Sequence, residues 1–197
     1  MKKHIIILAI ICMTVSNASL AQNSLFSMNY AVTVPLGNTN DYIDQISGRG
    51  FVLEYQKFVN KYWAIGGEVG HTTLYKKEAN QVYTEGTASL SGVQYRYQYN
   101  WPIMITANYY VMTGEALRPY FGLGLGTVAH DRQIDMGIFT SQNTYWQFAL
   151  RPEFGLLYQA SEGVGFRFGA KYFQSFETNG LAGQSNLGLN FGIVFSN

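Results

Sequence analysis

Between residues 25 and 195 the chain alternates large apolar residues with small or polar ones in eight separate runs. The run at 187–195 is the plainest. Leu187, Leu189, Phe191, Ile193 and Phe195 hold the odd positions, while Gly188, Asn190 and Gly192 hold three of the four even ones. Successive side chains on a strand point to opposite faces, so one face is apolar and the other small and polar. The same period marks 25–36, where Phe26, Met28, Tyr30, Val32 and Val34 oppose Ser27, Asn29, Ala31 and Thr33. It recurs at 49–58, 62–76, 91–111, 119–130, 144–158 and 164–176. Period-two alternation over such lengths predicts strands.

The connections alternate in length. Those at 59–61, 112–118 and 159–163 are short, while 35–48, 77–90, 131–143 and 177–184 are longer and rich in polar residues and glycine. Short turns at one end and long loops at the other are the habit of an outer-membrane barrel. A soluble barrel would place its apolar residues inside and its charges outside. Here the charges share a face with the glycines, and the branched and aromatic residues take the other. The pattern therefore predicts an all-β fold, a transmembrane antiparallel up-and-down eight-stranded β-barrel with lipid outside and a tight polar interior.

The N-terminus places the chain in an exported compartment. Lys2 and Lys3 precede an apolar run at 5–15, and Ser19 and Ala21 supply small residues at a cleavage site. Residues 1–21 read as a signal peptide, leaving 22–197 as one barrel domain. The single cysteine, Cys12, leaves with the signal, so no disulfide is expected. Aromatic residues make up 16% of the chain and charged residues 13%, with 21 glycines and a net charge of +1. So few charges, so nearly balanced, exclude nucleic acid as a partner. A mean hydropathy of −0.04 argues against a helical membrane protein.

The segment Arg118-Pro119-Tyr120-Phe121-Gly122-Leu123-Gly124-Leu125-Gly126 resembles the glycine-alternating strand of small outer-membrane barrels, of the OmpA/OmpX type and the opacity-protein-like porin family. The resemblance covers the whole mature chain and implies the outer membrane of a Gram-negative bacterium. It also implies that Leu187, Leu189, Phe191, Ile193 and Phe195 form the assembly signal read by the barrel-insertion machinery. That signal usually ends on its aromatic, whereas Ser196 and Asn197 follow Phe195 here. Outer-membrane lipid is the implied surrounding. Families of this kind include adhesins and structural proteins.

The expected lumen face carries Glu54, Glu68, Arg96, Arg151, Glu153, Arg167 and Lys171. Charges in a narrow barrel must pair, since an unpaired one costs several kcal/mol. Eight strands leave an interior that side chains just fill, which predicts an ion-pair plug. The alternative is a narrow conduit for small solutes, as in OmpW-like barrels. A lipid A-modifying enzyme is a further alternative, with His71 and His130 as the nearest candidates. Neither sits in a His-x-Ser arrangement, so the expectation is no catalytic residue. No cofactor motif is present, and oxygens at Asn38, Asn40, Asp41 and Asp44 lack a calcium-loop spacing. Tyr55, Tyr62, Trp63, Tyr109, Tyr120 and Tyr158 fall near one set of strand ends and Tyr75, Trp101, Trp146 and Tyr172 near the other, predicting two interfacial aromatic girdles. About ten residues cross a bilayer per strand, so the fourth run should project above it. Its Tyr95, Tyr97 and Tyr99 are candidate surface contacts for an extracellular partner, on a projecting strand edge open to strand addition.

Overall fold

The structure is a computed structural model describing residues 24–85, 88–111, 115–178 and 180–197. The expected signal peptide at 1–21 lies outside the described residues. Eight strands form one closed ring: β1 (Ser24–Leu36), β2 (Gly50–Phe58), β3 (Trp63–Glu85), β4 (Ala88–Tyr110), β5 (Leu117–Met136), β6 (Phe139–Ser161), β7 (Val164–Ser175) and β8 (Ser185–Ser196). Each strand pairs antiparallel with its neighbours in sequence, and β1 closes on β8 from Leu25↔Ser196 to Leu36↔Ser185. Among the described residues no helix is long and apolar enough to cross a membrane.

The faces divide as the alternation requires. Met28, Phe51, Val69, Ile105, Leu123, Phe154, Phe168 and Phe191 stand exposed on the outside, whereas Asn29, Glu54, Glu68, Thr106, Arg151 and Asn190 are buried within. Two apolar layers also lie inside. Leu25, Ala64, Tyr110, Tyr120, Leu157 and Val194 form a floor at the short-turn end, with Phe58 packed on it. Met104, Val128 and Ala149, with Phe173, form a second layer nearer the loops.

Three expectations about the loop end need correction. The stretches 77–90 and 131–143 are not long loops, because β3 and β4 pair as far as Glu85↔Ala88 and β5 and β6 as far as Met136↔Phe139. Four strands, β3 to β6, thus rise as a wall beyond β2, whose last pair on that side is Gly50↔Thr72, and beyond β7, whose last pair with β6 is Ala149↔Ser175. Residues 77–90 and 131–143 carry polar or small side chains at most positions of both faces, so they lack the apolar alternation that marks a half-buried strand. Next, 35–48 is not all loop: Gly37–Tyr42 forms α1, a helix of six residues laid against the barrel mouth. Finally, β4 is paired on both sides throughout the wall, so the tyrosine-bearing strand is not an edge. The edges are β3 and β6.

Candidate functional site

Six of the seven expected lumen charges converge between the two apolar layers. Lys171 Nζ lies 3.1 Å from Glu54 and 3.8 Å from Glu153 and also contacts Glu68. Arg151 spans Glu68, at 3.2 Å, and Glu153. Arg167 spans Glu54 at 3.2 Å and Glu153 at 3.0 Å. All six are at most 5% exposed. Three carboxylates and three cations cancel, and each cation touches at least two acids. The carboxylate oxygens of Glu54, Glu68 and Glu153 approach within 4.8 Å of one another, a spacing that suits a cation. The Lys171 ammonium already lies within reach of all three.

The glycine face makes this cluster sterically feasible. Gly124 pairs with Arg151, and a methyl there would sit 2.8 Å from the Arg151 Nε. The Tyr120 hydroxyl reaches into the cluster and donates to Glu153 at 2.7 Å. Tyr120 is 1% exposed, so it belongs to the interior and not to the expected aromatic girdle. It alternates with Phe121 and so falls on the glycine face. Tyr110 likewise faces inward and donates to Gln56 at 2.7 Å.

Arg96 shares the inward parity but not the cluster. It sits in the raised wall, with Glu78 3.6 Å away and Gln94 accepting from its Nε at 2.7 Å. Strand parity tells which side a residue faces, not its height along the barrel. Nearby, Glu78 and Asp44 bind the Lys76 ammonium at 3.0 and 3.1 Å. Those hydrogen bonds, Glu78 foremost, hold Lys76 above the usual lysine range.

Above the second apolar layer lies a polar one. His130, fully buried, faces Asn100 Oδ1 at 2.7 Å and Ser175 Oγ at 3.2 Å. The cavity beside them holds about 20 Å³, room for one water and not for a lipid. His71 instead points outward, with its ring 4.1 Å from Trp101. The mouth is then covered by α1. Thr39 donates to Gln184 Oε1 at 3.0 Å, Arg132 donates to the same oxygen at 2.7 Å, and Asn38 donates to the Gly183 carbonyl at 2.8 Å. The Arg132 guanidinium lies 4.1 Å over the Tyr42 ring. Burial pushes the Tyr42 hydroxyl above the usual tyrosine range, against the pull of Arg132 and Arg96. Sequence reasoning missed this cap. Asn38 sits in it as an anchor.

The outward face of the wall carries three cross-strand rows. Lys77, Tyr95, Asp135 and Thr140 form one, Tyr75, Tyr97, Gln133 and Gln142 the next, and Thr73, Tyr99, Asp131 and Thr144 the third. The Tyr97 and Tyr99 rings stack 6.2 Å apart, and Tyr75 meets Tyr97 at 5.1 Å. The two edges of the wall differ. At β3, Thr73 donates its N–H to Arg49 and accepts from Ser47, and Lys76 holds Asp44, so the loop after α1 covers the lower edge. At β6, the residues from Phe139 to Thr144 are all exposed, and none of 139–146 is charged. Among the described residues, no backbone hydrogen bond from outside β5 reaches 139–147, and the first such contact is Phe176 to Phe148 at 2.8 Å.

The comparisons agree with this architecture. The structure of Ail from Yersinia pestis, solved with the heparin analogue sucrose octasulfate, superposes with a TM-score of 0.57 at 15% identity, covering 90% of this chain and 100% of that one. OprG from Pseudomonas aeruginosa gives 0.54 at 15% identity, covering 90% and 96%. Neisserial surface protein A gives 0.53 at 14% identity, covering 88% and 96%. No match was found among curated proteins. The family model described as outer membrane protein beta-barrel domain matches residues 5–195. With that match and a closed antiparallel ring of eight strands, the chain belongs to the outer membrane protein beta-barrel family, as a small OmpA/OmpX-like barrel of the Gram-negative outer membrane.

Proposed function

We propose that this barrel is a sealed, non-enzymatic anchor that carries a binding wall above the membrane, and that partners join it by strand addition along β6. The signal peptide at 1–21 delivers the chain for export, the barrel domain follows from 22, and the last strand is its address for the insertion machinery. The long-loop end faces outward from the cell. The observation that carries the surface role is the free β6 edge. Natural sheets blunt exposed edges with charges, proline, bulges or covering segments. Residues 139–146 have none of these, whereas the β3 edge bears Lys77 and the covering loop. Main-chain pairing at such an edge gives affinity, and the alternating side chains give selectivity. Tyr95, Tyr97 and Tyr99 back this edge from two strands away and stiffen the wall.

The sealed lumen is supported by the balanced cluster, held between two apolar layers under a capped mouth. It disfavours the conduit alternative. The enzyme alternative is disfavoured by the surroundings of the two histidines. His130 has room for one water, and His71 lies among aromatic rings on the outer face.

The test uses the folded full chain in nanodiscs and a panel of nine-residue peptides of alternating valine and threonine. Fluorescence anisotropy should show binding that is abolished by N-methylation of alternate residues in one register and spared in the other. Binding insensitive to both methylation registers would overturn strand addition.

A further inference from the structure

We infer that the strand added to β6 is a basic one, with lysine or arginine four residues apart on its outward face. This rests on strand addition at the same edge and adds the chemistry of the partner. Asp131 and Asp135 stand on the outward face of β5, directly opposite Thr144 and Thr140 of β6. Four residues of extended chain separate them, roughly 13 Å. Asp135 accepts from Gln133 at 2.9 and 3.0 Å and from Thr140 at 2.8 Å; Asp131 accepts from Gln142 at 2.7 Å and from Thr144 at 3.3 Å. All of these donors are neutral. They fix the carboxylates in place without compensating their charge, and among the described residues neither acid forms an ion pair.

The outward face toward β3 is polarised the opposite way. Lys77 Nζ lies 5.7 Å over Tyr95 and Arg49 lies 5.8 Å over Tyr75, so the rings toward β3 already carry cations from this chain. An anionic partner is drawn to that side, where the loop after α1 covers the lower edge. A cationic one is drawn to the β5–β6 side, where the edge is free. In an added antiparallel strand, residues opposite Thr140 and Thr144 share the outward face. Their side chains lie two strand spacings from Asp135 and Asp131, roughly 10 Å. A lysine or arginine stem covers that span by lying over the threonine, with its charged head at the acid. An extended segment with basic residues at i and i+4 meets both acids at once, while the intervening residue at i+2 faces Gln142 and Gln133.

The probes are nine-residue valine–threonine peptides carrying lysine at positions 3 and 7, glutamate at 3 and 7, or lysine at 3 and 4, titrated against the folded full chain in nanodiscs. The 3,7-lysine peptide should bind best, and more tightly than the glutamate peptide by roughly tenfold at low salt, with the gap closing at high salt. The Asp131→Asn, Asp135→Asn double variant should weaken the 3,7-lysine peptide about fivefold and leave resistance of the barrel to SDS unchanged. Equal affinity for lysine and glutamate peptides, with N-methylation still blocking both, would overturn the basic partner and leave strand addition standing. Lysine-peptide binding that ignores N-methylation would overturn strand addition itself. Self-association of the barrel that excludes every peptide would give the edge to a second copy and overturn the inference.

Discussion

Arg167 and Tyr120 meet twice: the Arg167 Nε donates to the Tyr120 hydroxyl at 2.6 Å, and the guanidinium lies 4.4 Å over the same ring. The tyrosine relays this contact to Glu153 and also belongs to the apolar floor. One side chain thus joins the charged layer to the greasy one beneath it. Replacing Tyr120 with phenylalanine keeps the floor and removes the relay, leaving Arg167 short of an acceptor and Glu153 short of a donor. A loss of about 1–3 kcal/mol is expected, measured as a lower urea midpoint for the folded band on a cold SDS gel. An unchanged midpoint would mean the hydroxyl contributes nothing.

Lys171 contacts all three glutamates, so its removal is the harshest single change in the cluster. Lys171→Met should cost about 3–5 kcal/mol, because it leaves buried negative charge uncompensated. Adding Glu68→Gln should recover part of that loss, since the carboxylate it neutralises is then no longer stranded. A double-mutant cycle would show coupling well beyond the roughly 0.5 kcal/mol scatter of independent sites. Simple additivity would contradict the shared network.

The glycines are not equivalent. A side chain at Gly124 meets Arg151 at 2.8 Å, whereas the nearest atom to a methyl at Gly188 is 3.6 Å away. Gly124→Val should therefore push Arg151 off its acids and cost at least 1–3 kcal/mol by overpacking alone. Gly188→Ala should be tolerated. Comparing thermal midpoints of the two variants separates a steric requirement from a general dislike of strand substitution.

Planar-bilayer recordings of the full chain should show no steady openings. The cap is not required for this, because the charged layer and its two apolar neighbours lie beneath it. Gln184→Leu, which removes the oxygen shared by Thr39 and Arg132, should speed hydrogen exchange in α1 while leaving conductance silent. Steady channels in the unmodified protein would revive the conduit.

Period-two alternation located all eight strands and sorted residues such as Glu54, Glu68, Arg151, Glu153, Arg167 and Lys171 onto one face, because lipid on one side and a packed lumen on the other impose opposite demands. Height was not legible in the same pattern. Arg96 has the parity of the cluster but stands above it with Glu78. The tall wall was hidden for a related reason. With polar residues on both faces, Asp131, Arg132, Gln133 and Ile134 read as loop even though they pair fully with β6. The apolar layers were hidden too, since Val128, Met104, Leu157 and Val194 face inward yet look like lipid-facing residues.

The seam between β1 and β8 has a consequence for timing. Twelve residue pairs close the ring there, and they join the first strand to the last. Until β8 is in place, β1 keeps an unpaired edge, and no smaller ring of neighbouring strands satisfies it. Nor can the charged cluster form early, because Lys171 and Arg167 arrive on β7, long after Glu54 and Glu68. Strand by strand growth therefore gains little stability before the end, and the barrel matures in a single late event. A chain arrested before β8 would wait as a curled sheet with two sticky margins.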